Sequence, residues 1–157
     1  FADQSGKIIA DEDGNVQTVS FDAKGVHVGD AAQTQLGASL RYDITKRLYL
    51  KGRYTWFDRY YADFEPRVLD GENKGRESWR IPSYGLMDIH TGYGFKLDKS
   101  YINIRVSVLN ALNTRYIADA QNNDQFSGQS YNDFDAKSAS VFFGLGRRVN
   151  FSVQIKF

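Results

Sequence analysis

The chain has 157 residues, 20 basic and 19 acidic side chains mixed along its length for a formal charge of +1, and no cysteine. That balance excludes the basic footprint of a nucleic-acid binder, and no stretch approaches the roughly 18 to 20 apolar residues of a membrane-spanning helix. The 10 Tyr and 11 Phe, against two Pro and one Met, sit in a chain of negative mean hydropathy, a pairing that suits strands apolar on one face only. An averaging window cancels such alternation, so low mean hydropathy is compatible with strands that cross a bilayer in about 10 residues.

The chain opens at Phe1 in polar sequence without a basic or apolar leader, and we expect the true N-terminus to lie upstream. Residues 1 to 25 are read as an external loop, in which Lys7 to Ala10 and Val16 to Phe21 can pair around the Asp13-Gly14 turn. Asp11, Asp13, Gly14 and Asn15 resemble the start of a calcium loop, but the spacing and the closing Glu are missing, which favours a hairpin turn.

Residues 26 to 157 read as successive strands of period two. Thr34, Leu36, Ala38, Leu40 and Tyr42 oppose Gln33, Gln35, Gly37, Ser39 and Arg41; next, Leu48, Leu50, Gly52, Tyr54 and Trp56 oppose Tyr49, Lys51, Arg53 and Thr55. Met87, Ile89, Thr91, Tyr93, Phe95 and Leu97 oppose Asp88, His90, Gly92, Gly94 and Lys96, and the two glycines leave room on the polar side. Ile102, Ile104, Val106 and Val108 oppose Asn103, Arg105 and Ser107, and the run from Val149 to Phe157 alternates without a break. Five strands of spanning length result.

The links alternate in length. Asp43 to Lys46 and Asp98 to Ser100 are tight polar turns, whereas Glu65 to Ser83 and Ile117 to Ala136 are long and rich in Gly, Asn and charge. Short turns on one side and long loops on the other are the habit of outer-membrane barrels, whose short side is periplasmic. The expected fold is therefore all-β, an antiparallel transmembrane β-barrel in the bacterial outer membrane with its C-terminus periplasmic. Five strands do not close a barrel, and an open edge in lipid leaves backbone groups unpaired at several kcal/mol each. The remaining wall must come from elsewhere in the same protein or from partner chains.

Asp88 and His90 lie two apart on a polar face, the spacing of an acid that orients a base, but no Ser or Cys nucleophile in a recognisable motif accompanies them. A lumen lining accounts for the pair, and no catalytic role, metal or cofactor is assigned. Tyr54, Trp56, Tyr93 and Phe95 on the dry faces suit aromatic girdles at the lipid interfaces. Asp119, Asn122, Asn123, Asp124, Asp133 and Asp135 are read as a solvated loop.

Two stretches carry a family resemblance. Ile81-Pro82-Ser83-Tyr84 leads into a strand, and Val106-Ser107-Val108-Leu109-Asn110-Ala111-Leu112-Asn113-Thr114-Arg115-Tyr116-Ile117 resembles the "N-L-F-x-x-x-Y" stretch of TonB-dependent receptors. Gly146-Arg147-Arg148-Val149 through Phe157 is similar to that family's "G-R-x-apolar" ending with a terminal aromatic, in a style closest to receptors of the Bacteroidetes group. The resemblance covers roughly Val26 to Phe157. It implies a 22-stranded barrel around an N-terminal plug, of which these would be the last five strands, and a function in active import of a scarce external ligand. It further implies partners: the rest of the barrel and its plug, the TonB complex through an N-terminal segment, and the barrel-assembly machinery reading Phe157. A surface lipoprotein and the lipid bilayer complete the set.

On that reading Arg53, Asp88, His90 and Arg105 are candidates for ligand contact in the lumen or loops. Arg53, Arg105, Arg147 and Arg148 suit either an anionic substrate or the plug, and Arg147 and Arg148 at the outer rim equally suit lipopolysaccharide phosphates. Siderophore, cobalamin, glycan and peptide importers share this barrel end, so the substrate stays open. The alternatives are a smaller outer-membrane barrel enzyme or adhesin, or a soluble ligand-binding barrel. An upstream plug separates the first two, and detergent dependence separates both from the third.

Overall fold

The computed structural model describes residues 23–64, 69, 74–122 and 136–157. Residues 1–22, with the expected hairpin and its acidic turn, lie outside them, as do Asn123, Asp124, Asp133 and Asp135. The described residues form nine strands and no helix: β1 (Thr34–Asp43), β2 (Leu48–Asp58), β3 (Tyr60–Tyr61), β4 (Arg80–Ile81), β5 (Tyr84–Leu97), β6 (Ser100–Leu109), β7 (Ile117–Asn122), β8 (Ala139–Phe143) and β9 (Arg148–Lys156). The five expected long strands make one antiparallel sheet in the order β1-β2-β5-β6-β9.

Register decides what the two faces of that sheet contain. Leu40 pairs with Gly52, Gly52 with Ile89, and Ile89 with Val108, which in turn faces Val149. One row along, Thr91 pairs with Val106 and Val106 with Phe151. Every apolar series meets another apolar series, so the sheet carries one continuous oily face. That face is uncovered: Leu40 is 77% exposed, Phe151 67% and Val149 65%. Soluble monomers rarely leave an apolar patch beyond a few hundred Å² in water. Among the described residues β1 and β9 each pair on one side only, and the sheet does not close on itself.

The turns explain the register of β1 with β2 and of β5 with β6. In the β1–β2 link the Thr45 hydroxyl accepts hydrogen bonds from the backbone N–H groups of Arg47 (3.1 Å) and Leu48 (3.0 Å), a side-chain-locked turn. Between β5 and β6 two residues suffice, with Asp98 in the left-handed region at φ 52°. Both short links and the end of β9 lie at one end of the sheet, and the long connections lie at the other, as the loop lengths predict.

Two strands run longer than their alternation suggests. β5 begins at Tyr84, not Met87, and β2 continues to Asp58. The alternation breaks there because Phe57, Tyr84 and Leu86 put apolar side chains on the hydrophilic face. Phe57 and Tyr84 stack there at 4.9 Å, and Tyr84 stacks on Tyr116 at 4.5 Å, beneath the long loops.

Those loops are themselves structured where they are described. The stretches read as long loops hold β4 and β7, which pair with β3 and β8 just outside them, and a parallel bridge between Asp63 and Gln121 joins the two hairpins. The Asp63 N–H donates to Ala120 O at 2.8 Å, the Ala62 N–H to Trp79 O at 2.8 Å, and the Tyr60 hydroxyl to Ala118 O at 2.8 Å. Ala62, Ile81 and Ala120 are buried here with Tyr60, so the small core sits at the long-loop end and not on the face of the sheet. Runs this short have no alternation to read.

His27 closes this cluster. Its ring stacks on Tyr61 at 4.1 Å and meets Glu77 Oε2 at 2.6 Å, while Glu77 Oε1 accepts from the His27 and Ser78 backbone N–H groups. Desolvation pushes the Glu77 carboxyl up, but the hydrogen bonds from His27 and Ser78 outweigh it and hold the group below its usual range. A depressed carboxyl contributes its stabilisation above its unfolded pKa and loses it as pH falls through the folded value. Amide exchange at His27 and Ser78 is therefore expected to lose protection as pH falls below the ordinary carboxylate range. In Glu77→Ala the protection should be low at neutral pH already and lack that dependence.

Gly92 and Gly94 of β5 are filled from across the strands. Tyr49 lies over Gly92 and Tyr101 over Gly94, so that a Cβ at either site would enter the ring. Gly92→Ala should cost about 1–3 kcal/mol by forcing Tyr49 aside. In unfolding titrations of the full-length protein the cost should shrink in the Gly92→Ala/Tyr49→Ala double variant, since the two changes share one contact.

Candidate functional site

The face opposite the oily one holds all four residues singled out from the sequence, because β2, β5 and β6 alternate in step. Arg53 pairs in register with Asp88, His90 with Ser107, and Gly92 with Arg105, on three successive rungs of one face. Arg53 and Asp88 meet directly: Arg53 Nη2 donates to Asp88 Oδ2 at 2.7 Å. The other carboxylate oxygen, Oδ1, accepts from the Asn110 backbone N–H at 3.0 Å. Asp88 thus ties β2 to the top of β6, and its side chain is only 13% exposed.

Asp88 does not orient His90. His90 Nδ1 instead shares a hydrogen bond with Ser107 Oγ at 2.9 Å. A Ser–His pair needs a third group holding the far ring nitrogen before it resembles a nucleophilic triad. Here both Asp88 oxygens are engaged by Arg53 and Asn110, and the His90–Ser107 contact is a cross-strand polar rung. Arg105 is exposed on the same face, one rung nearer the short turns. Phe157 lies past the end of β9, fully exposed and in phase with the oily face. Among the described residues no cluster of three or more His, Asp or Glu is arranged around a possible metal ion.

The residues that sequence reasoning left without a role are Ser107, Asn110, Asn113 and Tyr116. Asn110 is buried and left-handed at φ 48°; Asn113 is left-handed at φ 54°. Asn110 Nδ2 donates to Thr114 O (2.9 Å) and Leu145 O (3.2 Å), and its Oδ1 accepts from the Thr114 N–H (2.9 Å). Asn113 Oδ1 accepts from the Arg147 N–H at 3.0 Å. Asn is the non-glycine residue best suited to a left-handed turn whose side chain must bond the backbone. The two asparagines of the 106–117 stretch therefore connect the exit of β6 to the entry of β9. Tyr116 covers Gly144 across the same junction.

No family model, curated protein or solved structure matches the chain.

Proposed function

We propose that the chain is part of the wall of an outer-membrane β-barrel, and that this barrel is an active transporter of the TonB-dependent kind. The single observation that carries the reading is the uncovered oily face running across all five long strands, with a hydrophilic face behind it. Lipid is the solvent in which such a face is stable, and the hydrophilic face then lines the lumen. Strands of 10 to 14 residues in β1, β5 and β6 have the length to cross a bilayer at the usual tilt. Open edges on β1 and β9 call for neighbouring strands, which the remainder of a 22-stranded barrel supplies.

On this reading the long-loop end faces outward and the C-terminus is periplasmic. The terminal aromatic Phe157 is the mark read by the barrel-assembly machinery. The Arg53, Asp88, His90 and Arg105 face contacts ligand or the plug, and the protein binds and transports without catalysing a reaction. The importer assignment rests on the resemblance of residues 81–84, 106–117 and 146–157 to TonB-dependent receptors. The plug, the TonB-contacting segment and a surface lipoprotein belong to it by the same resemblance.

The test uses cells carrying the full-length gene. Uptake of radiolabelled iron chelates, cobalamin, oligosaccharides and peptides is compared in wild type, in a deletion of this gene and in a strain lacking TonB. The expected result is one ligand class whose uptake falls equally in both mutants. Uptake that needs this protein but not TonB would contradict the importer reading.

A further inference from the structure

At the short-turn end of the hydrophilic face lies a cavity of about 300 Å³ that the candidate site above does not include, apart from Arg105 at its border. It is strongly basic. Arg41, Lys46, Arg47 and Arg105 line it, against the single carboxylate of Asp43. Asp43 is engaged by Arg41, whose Nη2 and Nε donate to the same oxygen at 2.8 and 3.0 Å. No ion pair to Lys46, Arg47 or Arg105 occurs among the described residues.

The backbone makes this convergence possible. Lys46 and Arg47 come from the β1–β2 turn that Thr45 locks, and Arg105 comes from β6, two strands away from β2. Between them β5 presents only Gly92 and Gly94, so no side chain of β5 itself enters the space, and Tyr49 and Tyr101 lie low over the two glycines. The Tyr49 ring lies over Gly92 and forms a floor, and the Arg41 guanidinium stacks on that ring at 4.0 Å. Asn103 adds a neutral donor at the rim.

Three cations with no ion pair among the described residues approach one small volume from two separate elements, repel each other and raise the affinity for a multiply charged anion. A carboxylate offers two coplanar oxygens to one guanidinium fork, whereas a phosphate offers oxygens on every side and matches donors that arrive from different directions. We infer that this pocket binds a phosphate group carried by a small solute, with Arg47, Arg105 and Lys46 as its ligands and Arg41 held ready by Asp43 and Tyr49. The inference goes beyond the transport reading and does not depend on it, because the pocket is formed within the sheet itself.

The experiment is calorimetric titration of the full-length protein, purified in detergent, with pyrophosphate at low ionic strength. Citrate is titrated in parallel as a polycarboxylate of comparable charge. Pyrophosphate is expected to bind, more tightly than citrate, with an affinity that falls as salt rises. The double variant Arg47→Ala/Arg105→Ala should weaken it at least tenfold, while Lys74→Ala at the long-loop end should leave it within twofold. Retained heat-modifiable migration in gels reports that each variant is folded. Absence of pyrophosphate binding by the wild type, tighter binding of citrate, or undiminished binding by the folded double variant overturns the inference.

Discussion

Ile104→Arg should destabilise the full-length protein by about 2–4 kcal/mol when it is folded in phospholipid bilayers and unfolded with urea, the cost of an arginine near the middle of a bilayer on the lipid side of a barrel. Ile104 stands at the middle of β6, paired with Tyr93 on one side and Val153 on the other. All three belong to the oily face. A guanidinium placed there must reach a distant interface or draw water in beside it. Asn150→Arg provides the contrast. Asn150 pairs with Ser107 on the hydrophilic face, and a charge there should shift stability by no more than about 0.5 kcal/mol. If the oily face met water, the two variants would behave alike.

Asn110→Ala should be the second large loss, about 3–5 kcal/mol in the same titration. Its side chain makes three hydrogen bonds that join β6 to Thr114 and to Leu145 ahead of β9, each worth about 1 kcal/mol net. Alanine must also hold the left-handed backbone at φ 48°, at a cost of roughly 1–2 kcal/mol. Asn110→Gly separates these contributions. Glycine tolerates the backbone but restores no side-chain bond, so it should recover about 1 kcal/mol relative to alanine. Proteolysis between Ala111 and Tyr116 should rise in both variants. Equal loss in the two would place the whole effect in the hydrogen bonds.

The long strands were legible because each keeps a period of two over eight or more residues, and alternation is the direct imprint of a face. The pairing of Leu40 with Gly52 or Thr91 with Val106 was not written in any one strand. It follows from the lengths of the two short links, whose turn residues Thr45 and Asp98 were visible as polar but not as register-setting. The same limit hid Ser107 as the partner of His90, since that contact exists only once β5 and β6 are in register. Asp88 beside His90 suggested an acid and a base; the structure gives Asp88 to Arg53 and Asn110 instead. The β3–β4 and β7–β8 hairpins were missed because two to six residues give too little pattern, and their stability comes from tertiary contacts such as Tyr60 to Ala118.

The central claim is that one side of this sheet meets lipid and the other meets water, and β6 reports on it most directly. This chain contains no cysteine, so single cysteines at positions 102 to 108 of the full-length protein, in a background cleared of any cysteine elsewhere, can be read one at a time in isolated outer membranes. Each site carries a spin label whose relaxation is followed with oxygen, which partitions into lipid, and with a charged nickel chelate, which stays in water. The account predicts oxygen contact at 102, 104, 106 and 108 and nickel contact at 103, 105 and 107. Nickel contact at every position, or recovery of the folded protein in the soluble fraction without detergent, would contradict it.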